Sequence, residues 1–453
     1  MSGGFPFGFG PTPGGDPNRP PGGGGAPFFA ELERLLSWQG GPVNWELARQ
    51  VAVRTLGSDD RTVSPAEVSE VENALRIADV WLDPLTVLPA GATTAAAWSR
   101  EQWIEATLPV WRTLCDPVAS KVVEAMRTGI SSGLSQLGGG DLPPELAGAL
   151  PPGVDLGRLM GAGGPVMQMM NQVGGMLFGA QVGQAIGGLA SEVVSSTEVG
   201  LPLGPLGTAA LLPANVAAFG QGLGVTDDEV RIYLALREAA SNRLYAHVPW
   251  LRAHVLGAVE EYARGIAVDP EAVGRVMRMI DPSALMNPER LTEALGEDVF
   301  ADADTPEQKA ALARLELILA LIEGWVDHVA DTAAREHLPS SAKLREMVRR
   351  RRAEGGPGEQ IFATLVGLSL RPRRLREAAA LWEALYDARG HEGRDALWAH
   401  PDLLPGADDL ADPAAFVTGT GAGADVDIIA EIEKLDGASP GDETPPSSDG
   451  PSS

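Results

Sequence analysis

Apolar residues recur at helical spacing along most of this chain, and that periodicity constrains its fold more than any other feature. The stretch F-F-A-E-L-E-R-L-L-S-W from Phe28 and the stretch N-W-E-L-A-R-Q-V-A-V-R-T-L from Asn44 both place apolar residues three and four positions apart. The tetrapeptide S-P-A-E from Ser64 supplies a capping serine, a proline at the first helical position and a glutamate at the third, which marks a helix start. The predicted fold class is therefore mainly α, a multi-helix protein with at most a short β-hairpin.

Composition divides the chain into segments. Its 453 residues are enough for two or three domains and a sizeable core. We expect disordered tails at 1–27, which is rich in Gly and Pro, and at 418–453, which is acidic and rich in Gly, Pro and Ser, because neither can bury enough apolar surface to fold. Between the tails we expect a helical region at 28–137, a Gly-rich helical segment with a short β region at 138–225, and a helical domain at 226–417. Residues 138–152 form a linker, and the short β-structure is expected within 197–218.

The aromatic residues and the one cysteine of the first half fit a packed core. Trp81, Trp98, Trp103 and Trp111 lie on helical stretches, where they are expected to pack rather than to bind a cofactor. Cys115 stands in the apolar context W-R-T-L-C-D-P-V and is expected to be a buried thiol, not a nucleophile. One cysteine cannot form an intramolecular disulfide, and the first residues lack a signal-peptide pattern, so we expect a cytoplasmic protein.

One stretch without a charged residue, between Arg158 and Glu192, is long enough to span a bilayer. It carries five side-chain amides and has little flanking positive charge, which favours a buried helix over membrane insertion. Small residues recur in it every four positions, a ridge that lets two helices approach closely. The ridge consists of Gly179, Gly183, Gly187 and Ser191. One hypothesis for function is therefore a membrane-associated protein that uses this segment; two others are given at the end of this section.

The charge of the chain disfavours nucleic acid as a partner. The net charge is -26, and a protein of this charge is repelled by phosphate backbones. A local basic zone, Arg349 to Arg376, lacks the interleaved aromatics of a nucleic-acid surface and is interpreted as a solvated helix end or a dock for the acidic tail. The apolar-spaced run D-V-D-I-I-A-E-I-E-K-L in that tail could dock on a groove of an unidentified protein partner.

The second half contains the stretch most informative about function. T-D-D-E from Thr226 caps a helix that continues V-R-I-Y-L-A-L, then R-E-A-A-S at Arg237 to Ser241, and V-P-W-L-R follows at Val248 to Arg252. This arrangement resembles the zincin-like metallopeptidases of bacteria, some of them linked to biosynthesis of a deazaflavin cofactor. In that family a helix carries H-E-x-x-H and V-P-W-L-R follows shortly after. The resemblance covers roughly Phe28 to Val417 and implies a zinc-dependent hydrolase.

The residues at the motif argue against zinc. Two histidines four positions apart face one side of a helix and share a zinc ion, while the glutamate between them acts as general base. Here Arg237 and Ser241 stand at the histidine positions. A guanidinium is always protonated and offers only donors, and serine is a poor zinc ligand. Glu238 is then a catalytic base only if a metal binds, and otherwise is expected to pair with a basic group.

A second stretch, L-E-L-I-L-A-L-I-E-G-W-V-D-H-V-A-D from Leu315, also matches the family, whose third zinc ligand comes from a later helix. Its candidates are Glu323, Asp327 and His328, and Trp325 stands where the resemblance implies a histidine. A buried arginine needs a carboxylate, so we predict a Glu323–Arg237 salt bridge in place of the metal.

Two further functional hypotheses follow. The first is a pseudoenzyme without metal or cofactor that serves as a binding or scaffold protein. The second is an active zinc metallohydrolase with an unorthodox site built from Glu238, His254, Glu323 and His328.

Overall fold

The computed structural model describes residues 41–58, 60–136, 165–264, 306–353 and 374–419. The expected N-terminal tail at 1–27, the helical start at Phe28, the linker at 138–152 and the C-terminal segment from 420 lie outside these ranges. So do Arg371 and Arg373 of the basic zone.

The described ranges are mainly helical, as predicted. Their helices and strands, numbered in chain order, are α1 (Trp45–Leu56), α2 (Pro65–Leu82), β1 (Thr94–Ala97), α3 (Arg100–Gln136), α4 (Pro165–Ala190), β2 (Thr208–Leu211), α5 (Pro213–Gly220), α6 (Asp227–His247), α7 (Leu251–Arg264), α8 (Pro306–His337), α9 (Ser341–Ala353), α10 (Leu375–Asp395), α11 (Ala407–Ala411) and α12 (Pro413–Thr418). The cap predicted at Ser64 is a complete capping box with Glu67. Thr226 likewise accepts a hydrogen bond from the backbone N–H of Glu229.

The β-structure is a pair of four-residue strands. β2 lies within the stretch where a strand was expected, but its partner is β1, paired in parallel from Thr94↔Thr208 to Ala97↔Leu211. The pair is therefore not a hairpin, because parallel strands need a long crossover connection, which here includes α3 and α4. An antiparallel bridge between Ser195 and Leu211 lies outside this pair.

The glycine ridge of α4 packs against α1. A Cβ atom at Gly179 would lie 2.6 Å from the carbonyl oxygen of Asn44, and one at Gly187 would lie 2.6 Å from that of Ala52. Only glycine allows the two backbones to approach this closely. The ridge therefore serves helix packing within the protein. No helix in the described ranges combines the length and the apolar character that a bilayer span requires.

Helices α6 and α8 run through the core beside each other, with α2 on α6 and α10 on α8. Gly324 of α8 allows close contact with α10, since a Cβ atom there would lie 2.7 Å from that of Ala378. Trp325, at the position where the resemblance implied a histidine, donates from Nε1 to Asp395 Oδ1 at 2.8 Å. Trp103 and Cys115 are fully buried, as expected, and burial raises the pKa of the Cys115 thiol.

Candidate functional site

The motif residues lie in the middle of α6, where both faces of the helix are covered. Arg237, Glu238 and Ser241 are 8%, 0% and 5% exposed. Positions 237 and 241 are one turn apart on the face toward α8 and α9. Glu238, about 100° around the helix, faces β2 and the segment before it. Arg237 and Ser241 therefore lie in one environment, and Glu238 lies in another on a different face of the same helix.

Arg237 pairs with carboxylates of α8. Its Nη2 donates to Glu323 Oε2 at 2.9 Å, which confirms the predicted salt bridge. Its Nη1 lies 3.6 Å from Asp327 Oδ1, a longer ion pair. Burial by itself lowers the pKa of Arg237, but the negative charges around it, Glu323 foremost, outweigh that effect and leave the pKa raised. The guanidinium is thus a permanent cation at the position where the family motif has its first histidine.

Helix α9 supplies further arginines to the same acids. Arg345 donates to Asp327 Oδ2 from Nη2 at 2.8 Å, and Arg349 Nη2 donates to the same oxygen at 2.8 Å. Arg352 Nη2 donates to Glu323 Oε1 at 2.8 Å. Burial raises the pKa of Asp327, but the arginines, Arg237 first, more than reverse this and hold the pKa below its usual value.

The interpretation of the basic zone as a solvated helix end is therefore wrong for Arg349 and Arg352. With Arg345 they occupy positions i, i+4 and i+7 of α9, which form one face, and that face is turned toward the buried acids of α8. Arg351 likewise lies 3.1 Å from the Glu198 carboxylate. These positive charges are paired with carboxylates of the protein itself.

Ser241 and the space around it leave little room for a ligand. The Ser241 hydroxyl donates to the Arg237 carbonyl oxygen at 3.0 Å, back-bonding to its own helix. A cavity between α6, α8, α9 and residues 194–198 has an interior volume of about 30 Å³ that water can reach. That volume holds a water molecule or two.

Glu238 is enclosed by neutral donors. It accepts hydrogen bonds from the Ser196 hydroxyl, from the Thr197 hydroxyl and N–H at 2.5 and 3.2 Å, from the Ala210 N–H at 3.1 Å and from Asn242 Nδ2 at 3.1 Å. The expectation of a basic partner is wrong, because in the described structure a ring of hydroxyl, amide and backbone N–H groups occupies both carboxylate oxygens. Such a ring satisfies an acceptor-only group as an arginine would. Glu238 therefore ties α6 to β2 and to residues 196–197.

The remaining metal candidates are apart from Arg237. His254, on α7, is exposed and contacts Trp250 edge to face at 5.4 Å between ring centroids. His328, on α8, is buried against Tyr386, with ring centroids 5.3 Å apart. Within the described residues, no group of three or more histidine, cysteine, aspartate or glutamate side chains is arranged to hold a metal ion.

Sequence reasoning missed two parts of this site. The first is the inward face of α9, which the spacing of Arg345, Arg349 and Arg352 could have revealed, since a basic stripe at helical period opposite a buried acidic stripe predicts pairing. The second is the ring around Glu238, where two of the donors are backbone N–H groups that carry no sequence signal.

Comparison with known proteins agrees with this fold. A family model described as zincin-like metallopeptidase matches residues 43–417. A crystal structure of a protein from Chloroflexus aurantiacus, described as a "putative hydrolase with a novel fold", has a TM-score of 0.55 and 20% sequence identity, and the match covers 83% of this chain and 98% of that one. At that identity the likeness concerns the fold alone. No curated protein matches the sequence. Since the family model matches well over half of the chain, this protein belongs to the zincin-like metallopeptidase family.

Proposed function

We propose that this protein is a non-catalytic member of its family and acts as a binding or scaffold protein. The observation that carries the proposal is the 2.9 Å bond between Arg237 Nη2 and Glu323 Oε2. It puts a cation at the first histidine position of the motif and engages a carboxylate that could have served as the third ligand. A fold does not determine function, which depends on the side chains at the site, and here those side chains are bonded to one another.

The side chains present do not fit the zinc ion that the family implies. Zinc in a catalytic site takes three protein ligands, typically histidine and carboxylate. On α6 the two motif positions offer a donor-only guanidinium and a hydroxyl that donates to its own helix. The Glu323 carboxylate receives hydrogen bonds from Arg237 and Arg352, so a zinc ion would have to displace two cations. No reaction step is therefore assigned to Glu238.

Elemental analysis tests the proposal directly. Protein purified without a histidine tag or added metal should contain far less than one zinc per chain, and hydrolysis of a generic peptide pool should be no faster with zinc than with a chelator. Arg237→His/Ser241→His, which restores the motif histidines, is the positive control for detection of zinc uptake. One tightly held zinc per wild-type chain, lost in Glu323→Ala, would replace the proposal with the metallohydrolase alternative.

The proposal also concerns compartment and partner. A buried thiol at Cys115 and the absence of any second cysteine suit the reducing cytoplasm. A protein partner is favoured over nucleic acid because the net charge is -26 and because Arg349, Arg351 and Arg352 are paired with internal acceptors. Fluorescence anisotropy with labelled duplex DNA and single-stranded RNA should show no salt-sensitive binding at micromolar protein. A salt-sensitive rise in anisotropy would refute this part.

A further inference from the structure

A second cavity lies on the other side of Glu238, and its only described cationic side chain is Arg252. It lies between the end of α6, the start of α7 and the loop before β2, and its interior of about 20 Å³ has room for a carboxylate group only. The cavity opens to the surface beside the exposed Leu206, so the rest of a ligand would lie outside it. Its lining includes Arg252, Tyr245, Asn242, Thr208, Pro205 and Leu206. It meets the cavity beside Arg237 at Thr197, which lines both.

Arg252 is partly buried, and no described carboxylate lies within salt-bridge distance of it. Three other partly or fully buried arginines have carboxylate partners. Arg231 lies 2.8 Å from Glu70, Arg243 lies 2.7 Å from Asp83, and Arg394 lies 2.7 Å from Asp395. Burial accordingly lowers the pKa of Arg252, and its interaction with Tyr245 offsets this only in part. A guanidinium that is partly removed from water and has no counter-charge is destabilising, and this one stands in a chain that carries 61 acidic residues.

The groups around Arg252 suit a carboxylate that is joined to an apolar group. The Thr208 hydroxyl makes no hydrogen bond with another described residue, so it is free to donate, whereas the Tyr245 hydroxyl is already committed to the Gly200 carbonyl oxygen at 2.7 Å. Beside these polar atoms, Pro205 and Leu206 form an apolar wall, and Leu206 is 65% exposed. A guanidinium binds a carboxylate through two parallel hydrogen bonds, and an apolar wall next to it favours a carboxylate attached to an aliphatic side chain.

We propose that this cavity is a carboxylate-binding subsite, in which Arg252 holds the carboxylate through its guanidinium, Thr208 donates a further hydrogen bond, and Pro205 and Leu206 contact the attached apolar group. The carboxylate belongs to the C-terminus of a peptide or to a small organic acid. The subsite does not depend on the proposed non-catalytic role, since a zinc ion near Arg237 would leave it in place.

Isothermal titration calorimetry of the full chain with N-acetyl-leucine is the test. We expect one saturable site, with affinity reduced at least about tenfold in Arg252→Met and by a smaller factor in Arg252→Lys, which keeps the charge but loses the planar pair of donors. Arg76→Met, at an exposed arginine on α2, is the matched control and should bind as the wild type does. Thermal melting of each variant shows whether it is folded, and Thr208→Val provides a second variant at the site with an expected several-fold loss.

Three further ligands decide the chemistry. N-acetyl-leucine amide should not compete, because it lacks the charge. Inorganic phosphate should compete more weakly than N-acetyl-leucine, because it has no apolar group for Leu206. A peptide Gly-Gly-Ser-Leu with a free carboxylate that binds more tightly than N-acetyl-leucine identifies a peptide terminus as the source, and equal binding identifies a small acid. Equal binding of the acid and the amide, tighter binding of phosphate, or unchanged binding in Arg252→Met would each overturn the proposal.

Discussion

Arg237 on α6 and Glu323 on α8 are 86 residues apart in sequence, and Arg237 Nη2 lies 2.9 Å from Glu323 Oε2. The bond joins the two central helices at the place where related proteins with a complete motif would hold zinc. A buried carboxylate and a buried guanidinium neutralise each other there, and α9 adds arginines that complete the pairing of the acids on α8.

Substitution of one partner of this pair should destabilise the protein. Glu323→Leu leaves Arg237 buried with only the 3.6 Å contact to Asp327, so we expect a loss of about 3 kcal/mol in the free energy of unfolding. Arg237→Leu/Glu323→Leu should recover part of that loss, because the buried guanidinium of Arg237 is removed together with its partner. Arg352 loses the Glu323 carboxylate in both variants and keeps its hydrogen bond to the Glu198 carbonyl oxygen. Urea denaturation measures both.

The control for this pair lies on the protein surface. Asp228 is 81% exposed at its side chain and pairs with Arg231. Asp228→Ala should cost no more than about 0.5 kcal/mol. If Glu323→Leu costs as little as Asp228→Ala, the pair does not organise the core.

Glu238 should behave as a structural residue. Glu238→Gln replaces one carboxylate oxygen by an NH₂ group. This group is itself a donor and would face other donors, such as the Ser196 hydroxyl and the Ala210 N–H. We expect a loss of about 3 kcal/mol in the free energy of unfolding, because buried donors lose an ionised acceptor. Thr197→Val, which removes a single hydroxyl donor, should cost about 1 kcal/mol. Unchanged stability in Glu238→Gln would show that the ring around Glu238 is not formed.

The glycine ridge offers a matched pair of substitutions on one helix. Gly183→Ala forces a methyl group against the Ala48 carbonyl and the Val51 side chain, so α1 and α4 must separate, and we expect a loss of about 1–3 kcal/mol. Gly188→Ala, five residues along α4, places its methyl group where no atom lies within 4 Å. That variant should be unchanged or more stable by about 0.5 kcal/mol. Equal melting temperatures for the two variants would contradict the described packing.

His328 should make stability depend on pH. Burial lowers the pKa of His328 from 6.5 to about 4, and the positive charges of Arg394, Arg345 and Arg335 act in the same direction. The negative charge of Asp327 opposes them with a smaller effect. Because the folded pKa lies below the unfolded value, the contribution is complete above pH 6.5 and is lost as pH falls toward 4.

The measurement compares wild type with His328→Phe, which keeps a ring against Tyr386 but cannot titrate. Between pH 7.5 and pH 5, the wild type should lose about 2 kcal/mol more of its unfolding free energy than the variant does. Parallel curves for wild type and His328→Phe would mean that His328 is solvated or charged in the folded protein.

Local sequence was sufficient to predict the helices, their caps and the loss of the zinc motif. The capping boxes, the helical period and the replacement of histidine by Arg237 and Ser241 are relations between residues a few positions apart, so they are visible in one dimension. The Arg237–Glu323 pair was also predictable, because a cation inside an apolar helix must find a carboxylate and one stood on the other family-like helix.

Tertiary structure decided what each of those residues touches. The parallel pairing of β1 with β2 and the turn of α9 toward the acids of α8 depend on packing between distant segments, as does the ring of donors around Glu238. Composition does not determine such contacts, since a basic stripe can face water as well as buried acids, and a glutamate can be satisfied by backbone N–H groups that every residue type carries. The sequence therefore determined which side chains stand at the motif positions, whereas the tertiary structure determined which groups bond to them.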